Sequence, residues 1–526
     1  MNDIFEKVVT RGDIDERYLL RLGSGEKDLQ ISPQFDFSKV GRVKHGLSRR
    51  MHLLDMVQLL SESLGVSGVS ERGTDGSPSY TCETAEYFRT HHVEKLMWPF
   101  KCSMKSIENL SGTDYFELFP FKVFFGIDDH VYMNINDVKE KFDVIDAIFL
   151  ELAEYRPLEL LRSQKQRSDY LITQQARIVA MTCTYAAIMR ANLVELGFRC
   201  DNLLIEEAGQ MLDIETFIPL LLQSGNVDAL STSPHRLKRI CLIGDHNQLP
   251  PVVKNNSLAR YSRLDQSLFS RLIHQGVPTI QLDKQGRARP ELARLYSWRY
   301  KNLGNLNFVT SDPQFKTANA GLAYTHQLID CGDFMGKGES APTAFFYQNV
   351  GEAEYAVAIF QYMVMIGYPP QKITLLTTYN GQKELLLDIL SRRCGEGTPL
   401  AHVRPGTVST VDQYQGQQND YIILSLVRTR SVGHLKDIRR LIVAMSRARL
   451  GLYILCRERL FSSCRELKKC MNLLKVFPNK LILVAGEHYP TTRIDLEEID
   501  DETKFVVDDV IQMGKLVYEM QNDLYA

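Results

Sequence analysis

Leu203-Leu204-Ile205-Glu206-Glu207-Ala208-Gly209-Gln210 sets a short apolar run directly against two adjacent carboxylates. A strand that ends this way holds its acids at a fixed edge, where one can face a metal ion and the next an attacking water. The same two acids also suit the first turn of a solvated helix, where negative charge is favoured. The string alone leaves these readings even. Further along, Leu242-Ile243-Gly244-Asp245-His246-Asn247-Gln248-Leu249-Pro250-Pro251 again closes an apolar run with a tight turn. Gly-Asp and Pro-Pro are ordinary turn punctuation. Gln248 adds an amide that both donates and accepts, as a sensor between a phosphate and a second site would need.

Similar runs recur outward from these strings: RIVAMTCT from Arg177, then PTIQLD, KITLLTTY, TVSTVDQ, YIILSLVR and LYILC. Most are separated by segments of helical length such as ELLLDILSRR. Short, fully apolar strands alternating with helices predict parallel sheets covered on both faces. Two such blocks fit, one ending near Leu282 and one running from about Tyr347 to Arg457. Residues 30–165 have another texture. LSRRMHLLDMVQLLSESL and KEKFDVIDAIFLELAEYRPLELLRS place apolar residues at helical spacing, which predicts a mainly helical insertion into the first block. Gly65 to Ser79 reads as a linker, and the segment after Thr492 as an acidic tail with weak helix at its end.

A length of 526 residues fits three or four domains at about 150 residues each. Lys plus Arg is 62 against 64 Asp plus Glu, a formal net charge of −2, which excludes a globally basic nucleic-acid coat. Any nucleic-acid site must be a local patch. The 44% hydrophobic and 24% charged residues describe an ordinary globular chain. No apolar run approaches the roughly 18 residues of a membrane span, and MNDIFEKVVTRGDIDERYLL has early acids rather than a signal-peptide pattern. Ten cysteines without a C-x-x-C pair suit reduced thiols in cytosol or nucleus better than zinc.

Three further strings carry chemistry: Gln285-Gly286-Arg287-Ala288-Arg289-Pro290, Val411-Asp412-Gln413-Tyr414-Gln415-Gly416-Gln417, and Val443-Ala444-Met445-Ser446-Arg447-Ala448-Arg449. Arginine suits phosphate because its guanidinium is permanently charged and forked. Against that stands the common fate of a single arginine, a surface ion pair.

In this order the five strings resemble motifs II to VI of superfamily 1 helicases, the first being the Walker B form. Gly-Asp-x-x-Gln-Leu-Pro-Pro is similar to the branch that holds the nonsense-mediated-decay helicases. A closer resemblance, to the C-terminal helicase region of the aquarius family of spliceosomal intron-binding proteins, rests on SYTCETAEYF (Ser79 to Phe88), IETFIPLLLQ (Ile214 to Gln223), WRYKNLGNL (Trp298 to Leu306), TTYNGQK (Thr377 to Lys383) and QGQQNDYIILSLVRTR (Gln415 to Arg430). It implies an α/β fold of two RecA-like P-loop NTPase domains with parallel sheets, the first incomplete, plus the helical insertion. The expected divisions are a first-domain remnant over 1–29, the insertion over 30–165, and the rest of the first domain over 166–284. The second domain then covers 285–475 and the acidic tail 476–526. The implied activity is ATP-dependent RNA unwinding in pre-mRNA splicing, in the nucleus, with intron RNA and spliceosomal proteins as partners and no membrane.

By the resemblance, Glu206 faces Mg²⁺ and Glu207 activates water. Gln248 senses the γ-phosphate of ATP while Asp245 braces its turn, and Gln285 and Gln418 contact the nucleotide. Arg287 and Arg447 are the arginines that reach the phosphates from the second domain. The superfamily usually has Asp where Glu206 stands, and Glu where Gln418 stands, so metal geometry and local charge differ here. Gly286, Ala288 and Arg289 replace three residues of the commoner motif IV. RNA contacts fall to Thr182, Thr184, Thr378, Asn380, Thr410, Arg428 and Arg430, since strand-end hydroxyls and amides suit phosphate without reading sequence. Arg428, Arg430, His434, Lys436, Arg439 and Arg440 form the densest basic run. It reads evenly as an RNA patch or as a solvated helix face with Asp437 as partner. Tyr379 is equally a base-stacking or a buried aromatic.

A phosphate-binding loop of the form G-x-x-x-x-G-K-[ST] is not found in the sequence. Gly336-Lys337 leads into Gly338, Gly514-Lys515 into Leu516, and Gly23-Ser24-Gly25-Glu26-Lys27 lacks the Gly-Lys core. Since the string akin to Asn2 to Val8 ends motif Ia in the resembling family, the sequence reads as an N-terminally truncated member or an incomplete gene model. The chain alone is then expected to be poorly stable and without specific ATPase. A non-catalytic RNA-binding scaffold is the rival reading from another class, and a DNA helicase of the same superfamily a weaker third.

Overall fold

The computed structural model describes residues 2–23, 29, 36–66, 79–106, 114–127, 131–222, 236–253, 255–495 and 499–523. Most of the Gly65 to Ser79 linker, residues 24–27 of the glycine-rich string, and Glu497 and Glu498 lie outside them. The chain divides into two units, one of Met1–Glu206 with Ile214–Leu242 and one of Glu207–Asp213 with Ile243–Ala526.

The first unit is built on two long helices, Lys39–Ser63 and Ile135–Leu160. Ser38 caps the first by accepting from Gly41 N, and Asn134 and Asp137 form a reciprocal capping box at the start of the second. Leu53, Leu54, Val57, Phe142, Phe149 and Leu152 recur at helical spacing and fill one core, as the insertion's periodicity predicted. Arg49 binds Glu151 through a two-pronged ion pair of 2.8 Å. Beside this core, β1 (Leu19–Arg21) pairs in parallel with β2 (Ile178–Ala180), and β3 (Asn202–Ile205) with β4 (Arg239–Leu242). Leu204 and Ile240 on β3 and β4 are about half exposed, at 56% and 51%.

In the second unit, short β5 (Lys284–Gln285) pairs in parallel with β6 (Gly304–Asn305). The main sheet is entirely parallel. It contains β7 (His326–Asp330), β8 (Ile373–Thr377), β9 (Thr407–Thr410), β10 (Asn419–Ser425) and β11 (Ala448–Cys456), in spatial order β7-β11-β10-β8-β9. Side chains alternate between its faces with period two. Tyr421 and Ile423 of β10 enter one core, with the helices Val350–Met365 and Asn380–Arg393. Ile422 and Leu424 enter the other, with Pro290–Ser297 and Ile438–Met445. Burial on both faces is why these strands lack any polar alternation.

Two expectations need adjusting. PTIQLD, read as a strand, forms none: Ile280 and Leu282 are exposed at 96% and 81%, and without a ladder partner an apolar run stays irregular. The segment after residue 476 contributes antiparallel β12 (Leu481–Val484) and β13 (Lys504–Val507) and the helix Val510–Asp523. Val507, Met513 and Val517 are buried in the second unit's core.

His326 on β7 is 6% exposed and meets Phe477 edge-on at 4.9 Å. Burial pushes its imidazole down to about 4. The folded chain therefore holds it neutral, while the unfolded chain takes a proton below about 6.5. This contribution to stability is present above pH 6.5 and is lost as pH falls through about 4. His326→Phe should gain about 2–3 kcal/mol on wild type between pH 7 and pH 4, read by urea unfolding. A difference that stays constant with pH would refute a buried neutral imidazole.

Candidate active site and nucleic-acid interface

Close backbone approach in the second unit brings the two acidic strings together. Ala208 N donates to Ile243 O at 2.8 Å, and a Cβ on Gly244 would stand 2.8 Å from Gly209 N, so only glycine fits. Glu207 sits in the left-handed region at φ 54°, a conformation that costs a non-glycine residue about 1 kcal/mol. Its carboxylate accepts from Gln210 Nε2 at 2.6 Å. Glu206 follows directly on β3, at the edge of the first unit.

Asp245 braces its turn as expected. Its Oδ1 accepts from Asn247 N at 2.8 Å, and its Oδ2 from Gln248 Nε2 at 2.8 Å and Tyr300 Oη at 2.6 Å. Gln248 is thereby oriented so that its Oε1 accepts from Arg447 Nη2 at 3.4 Å. Arg447 is 1% exposed and donates also to Val443 O, Gln417 O and Ser446 Oγ. Burial, reinforced by Arg287 and opposed by Glu207, pulls its guanidinium down to about 10, so it stays cationic at neutral pH. Arg287 donates to Gln418 Oε1 at 2.6 Å and to Ser446 O at 3.1 Å. Burial lowers it too, with Tyr296 and Glu207 opposing.

Strings II, III, IV, V and VI thus meet around two guanidiniums whose hydrogen-bond acceptors are all neutral. Among the described residues neither Arg287 nor Arg447 has a carboxylate within 4.0 Å, whereas Arg439, Arg440 and Arg449 all do. A buried cation is ordinarily paired; Arg447 is buried and Arg287 half-buried, so the two are left ready for an anion. Gln418 contributes by being neutral: the Glu usual at that position would cancel Arg287. Gln285 does something else. Its Oε1 accepts from Arg287 N and Ala288 N, and its Nε2 donates to Ala288 O and Asn305 Oδ1, so it shapes the turn that carries Arg287. Arg289 is fully buried beside Asp495 at 3.7 Å and is part of the packing. Tyr300 was not singled out from the sequence. Its signal was weak, a tyrosine in a string with no assigned chemistry. Next to Gln248 opens a cleft of about 470 Å³, lined in part by Asn247, Arg263, Arg299 and Arg439.

The residues expected to touch RNA divide into three groups. Thr182 caps the helix Cys183–Ile188 by accepting from Tyr185 N, and Thr184 is exposed in its first turn. Thr378, Thr410 and Arg428 stand at the carboxyl ends of β8, β9 and β10, whose last residues Thr377, Thr410 and Ser425 are in register. Thr378 Oγ1 donates to Leu426 O at 3.3 Å, and Thr410 Oγ1 accepts from Gln413 N at 3.4 Å. Asn380 and Arg430 are exposed. Arg428 is buried, its guanidinium over the Tyr347 ring at 3.9 Å, with Tyr379 Oη accepting at 3.2 Å. Tyr379 is therefore a packing aromatic. Most of the basic run is internally paired: Arg428 with Glu339, Lys436 with Glu466, Arg439 with Asp437, Arg440 with Asp412. Burial, helped by Arg440, pushes His434 down to about 4 and so keeps it neutral. Arg430 is the one cation of the run without an ion pair among the described residues.

AAA domain families match residues 152–256 and 264–459, which implies nucleotide use. The chain is 50% identical over 99% of its length to mouse "RNA helicase aquarius", covering 35% of that protein. Along its whole length it is similar to the aquarius-type helicases. A fission-yeast relative, "Pre-mRNA-splicing factor cwf11", is 28% identical over 99% of this chain and 38% of its own length. An Arabidopsis "Regulator of nonsense transcripts 1 homolog" is 31% identical over 57% of this chain and 23% of its own. The chain thus spans little more than a third of the relatives it matches along its length. No helix among the described residues is long and apolar enough to cross a membrane.

Proposed function

We propose that this aquarius-type chain carries the RNA-binding and ATP-sensing parts of a nuclear RNA helicase that acts on intron RNA within the spliceosome. The observation that carries the reading is the pair of Arg447, buried, and Arg287, half-buried, both set against neutral acceptors, with Arg447 linked through Gln248 to Asp245. A terminal phosphate supplies the charge these guanidiniums lack, and most strongly as charge builds on it in the transition state. Glu207 takes the proton of the attacking water, and Gln248 reports the phosphate to Asp245 and Tyr300. Mg²⁺ suits Glu206, since this ion takes one or two carboxylates while phosphates and water fill its other positions. When bound it neutralises charge on the β- and γ-phosphates. Thr378, Asn380, Thr410 and Arg430 offer strand-end contacts to the RNA backbone.

Fluorescence anisotropy of the 526-residue chain with a labelled single-stranded oligouridylate tests the RNA half. Binding that weakens with salt, at a slope of about −0.7 per phosphate contacted, is expected. No binding at 50 mM salt refutes the reading. The ATP half needs a G-x-x-x-x-G-K-[ST] loop, so it is tested in a longer polypeptide that supplies one. There, hydrolysis should rise on adding RNA.

A further inference from the structure

Residues 332–348 form a strap in which Glu339 alone is buried. Two tight turns shape it. Phe334 and Lys337 exchange backbone hydrogen bonds across Met335 and Gly336, both at positive φ, and Ser340 and Gln348 exchange a second pair. Met335 and Phe345 face water, while Phe334, Phe346 and Tyr347 are half-buried towards its two ends. Its ends are held by an Asp333–Arg457 ion pair and by Gln348 donating to Gly381 O. Between them the hold is polar. Glu339 Oε2 receives Arg428 Nε at 3.0 Å, Thr429 N at 2.5 Å and Arg430 N at 3.2 Å, and Glu339 N donates to Thr429 Oγ1 at 3.1 Å.

Two successive backbone N–H groups and one guanidinium converging on a single anionic oxygen make an anion nest. It lies just beyond β10, beside Thr378 and the exposed Arg430. We propose that this nest is a seat for a backbone phosphate of single-stranded RNA, and that the Glu339 carboxylate fills it until RNA displaces it. The proposal rests on the RNA-binding reading above and adds the seat and its built-in competitor. The exchange is one anion for another. Arg428 never loses its counter-charge, which would be costly at a buried site. Tyr379 Oη and Ser431 Oγ, both outside the strap, still accept from Arg428 Nη1 and Nη2, so its Nε keeps pointing into the nest after the carboxylate leaves. The freed Glu339 returns to water on a strap in which no other residue is fully buried. Burial alone would raise the Glu339 carboxyl, but Arg428 and the two amides outweigh it and hold it below the usual carboxylate range. The competitor is therefore charged at neutral pH.

The test uses the whole 526-residue chain and a labelled twelve-residue oligouridylate. Glu339→Gln keeps the side chain's shape and removes its charge. It should bind RNA about tenfold more tightly than wild type in 100 mM salt, because the competent state no longer has to be opened against an ion pair. Arg428→Ala should abolish that gain in the double variant. Hydrogen exchange on wild type gives a readout independent of folding of the variants: saturating RNA should speed exchange of the strap amides at 337, 340 and 348. Equal or weaker binding by folded Glu339→Gln would overturn the seat, as would strap exchange that RNA leaves unchanged or slows. Opening by millimolar inorganic phosphate but not by RNA would overturn RNA as the ligand. If neither wild type nor variant binds RNA at all, the RNA-binding reading itself fails.

Discussion

Replacing Arg447 by alanine should lower RNA-stimulated ATP hydrolysis about 10³-fold, measured in the longer polypeptide that supplies the phosphate loop, with KM for ATP changed by less than about tenfold. The expectation follows from what Arg447 touches. Its four acceptors are Val443 O, Gln417 O, Ser446 Oγ and Gln248 Oε1, none of them charged. A guanidinium so placed is most stabilised when negative charge develops opposite it, which is an effect on kcat rather than on ground-state binding. Alanine would also leave Gln248 Oε1 without this donor, uncoupling the Asp245-braced sensor from the arginine of string VI. Arg447→Lys keeps the charge but not the fork, and should stay within about tenfold of alanine. Folding should be little affected, since the substitution removes a buried charge that no carboxylate offsets. Turnover within threefold of wild type, with RNA binding intact, would remove Arg447 from the chemistry.

What could be read from the sequence and what could not divides by the range of the interaction. The β10 and β11 runs are legible because burial on both faces writes an unbroken apolar string into a few consecutive residues. The helices Lys39–Ser63 and Ile135–Leu160 are legible because their periodicity is local. PTIQLD has the same local texture, yet no neighbouring strand pairs with it, and pairing is not a local property. The site divides in the same way. Glu207, Asp245, Gln248, Arg287 and Arg447 lie in strings whose order marks them. Their partners come from far along the chain: Tyr300 lies 55 residues from Asp245, Gln418 131 from Arg287, and Arg447 199 from Gln248. Arg428 shows the limit most sharply. A basic run suggests solvent and RNA, but Glu339, 89 residues upstream, draws this arginine into the interior.

Glu207→Gln, in the same longer polypeptide, should lower RNA-stimulated hydrolysis by about 10²–10⁴-fold while leaving RNA affinity unchanged. The amide has nearly the shape of the carboxylate and can still accept from Gln210 Nε2, so the left-handed turn at residue 207 should persist. What it cannot do is take a proton from water. A second consequence separates this role from a merely structural one. Glu207 is the anion whose field opposes the lowering of both Arg287 and Arg447. Removing its charge leaves the two guanidiniums with less negative potential and a stronger demand for phosphate. Nucleotide should therefore bind as tightly as before or more tightly, and KM for ATP should hold or fall while kcat collapses. A substitution that simply disordered the turn would raise KM and weaken RNA binding together. Hydrolysis that survives Glu207→Gln would return the proton to another group. A lost affinity for nucleotide would mean instead that Glu207 shapes the phosphate site and leaves the water alone.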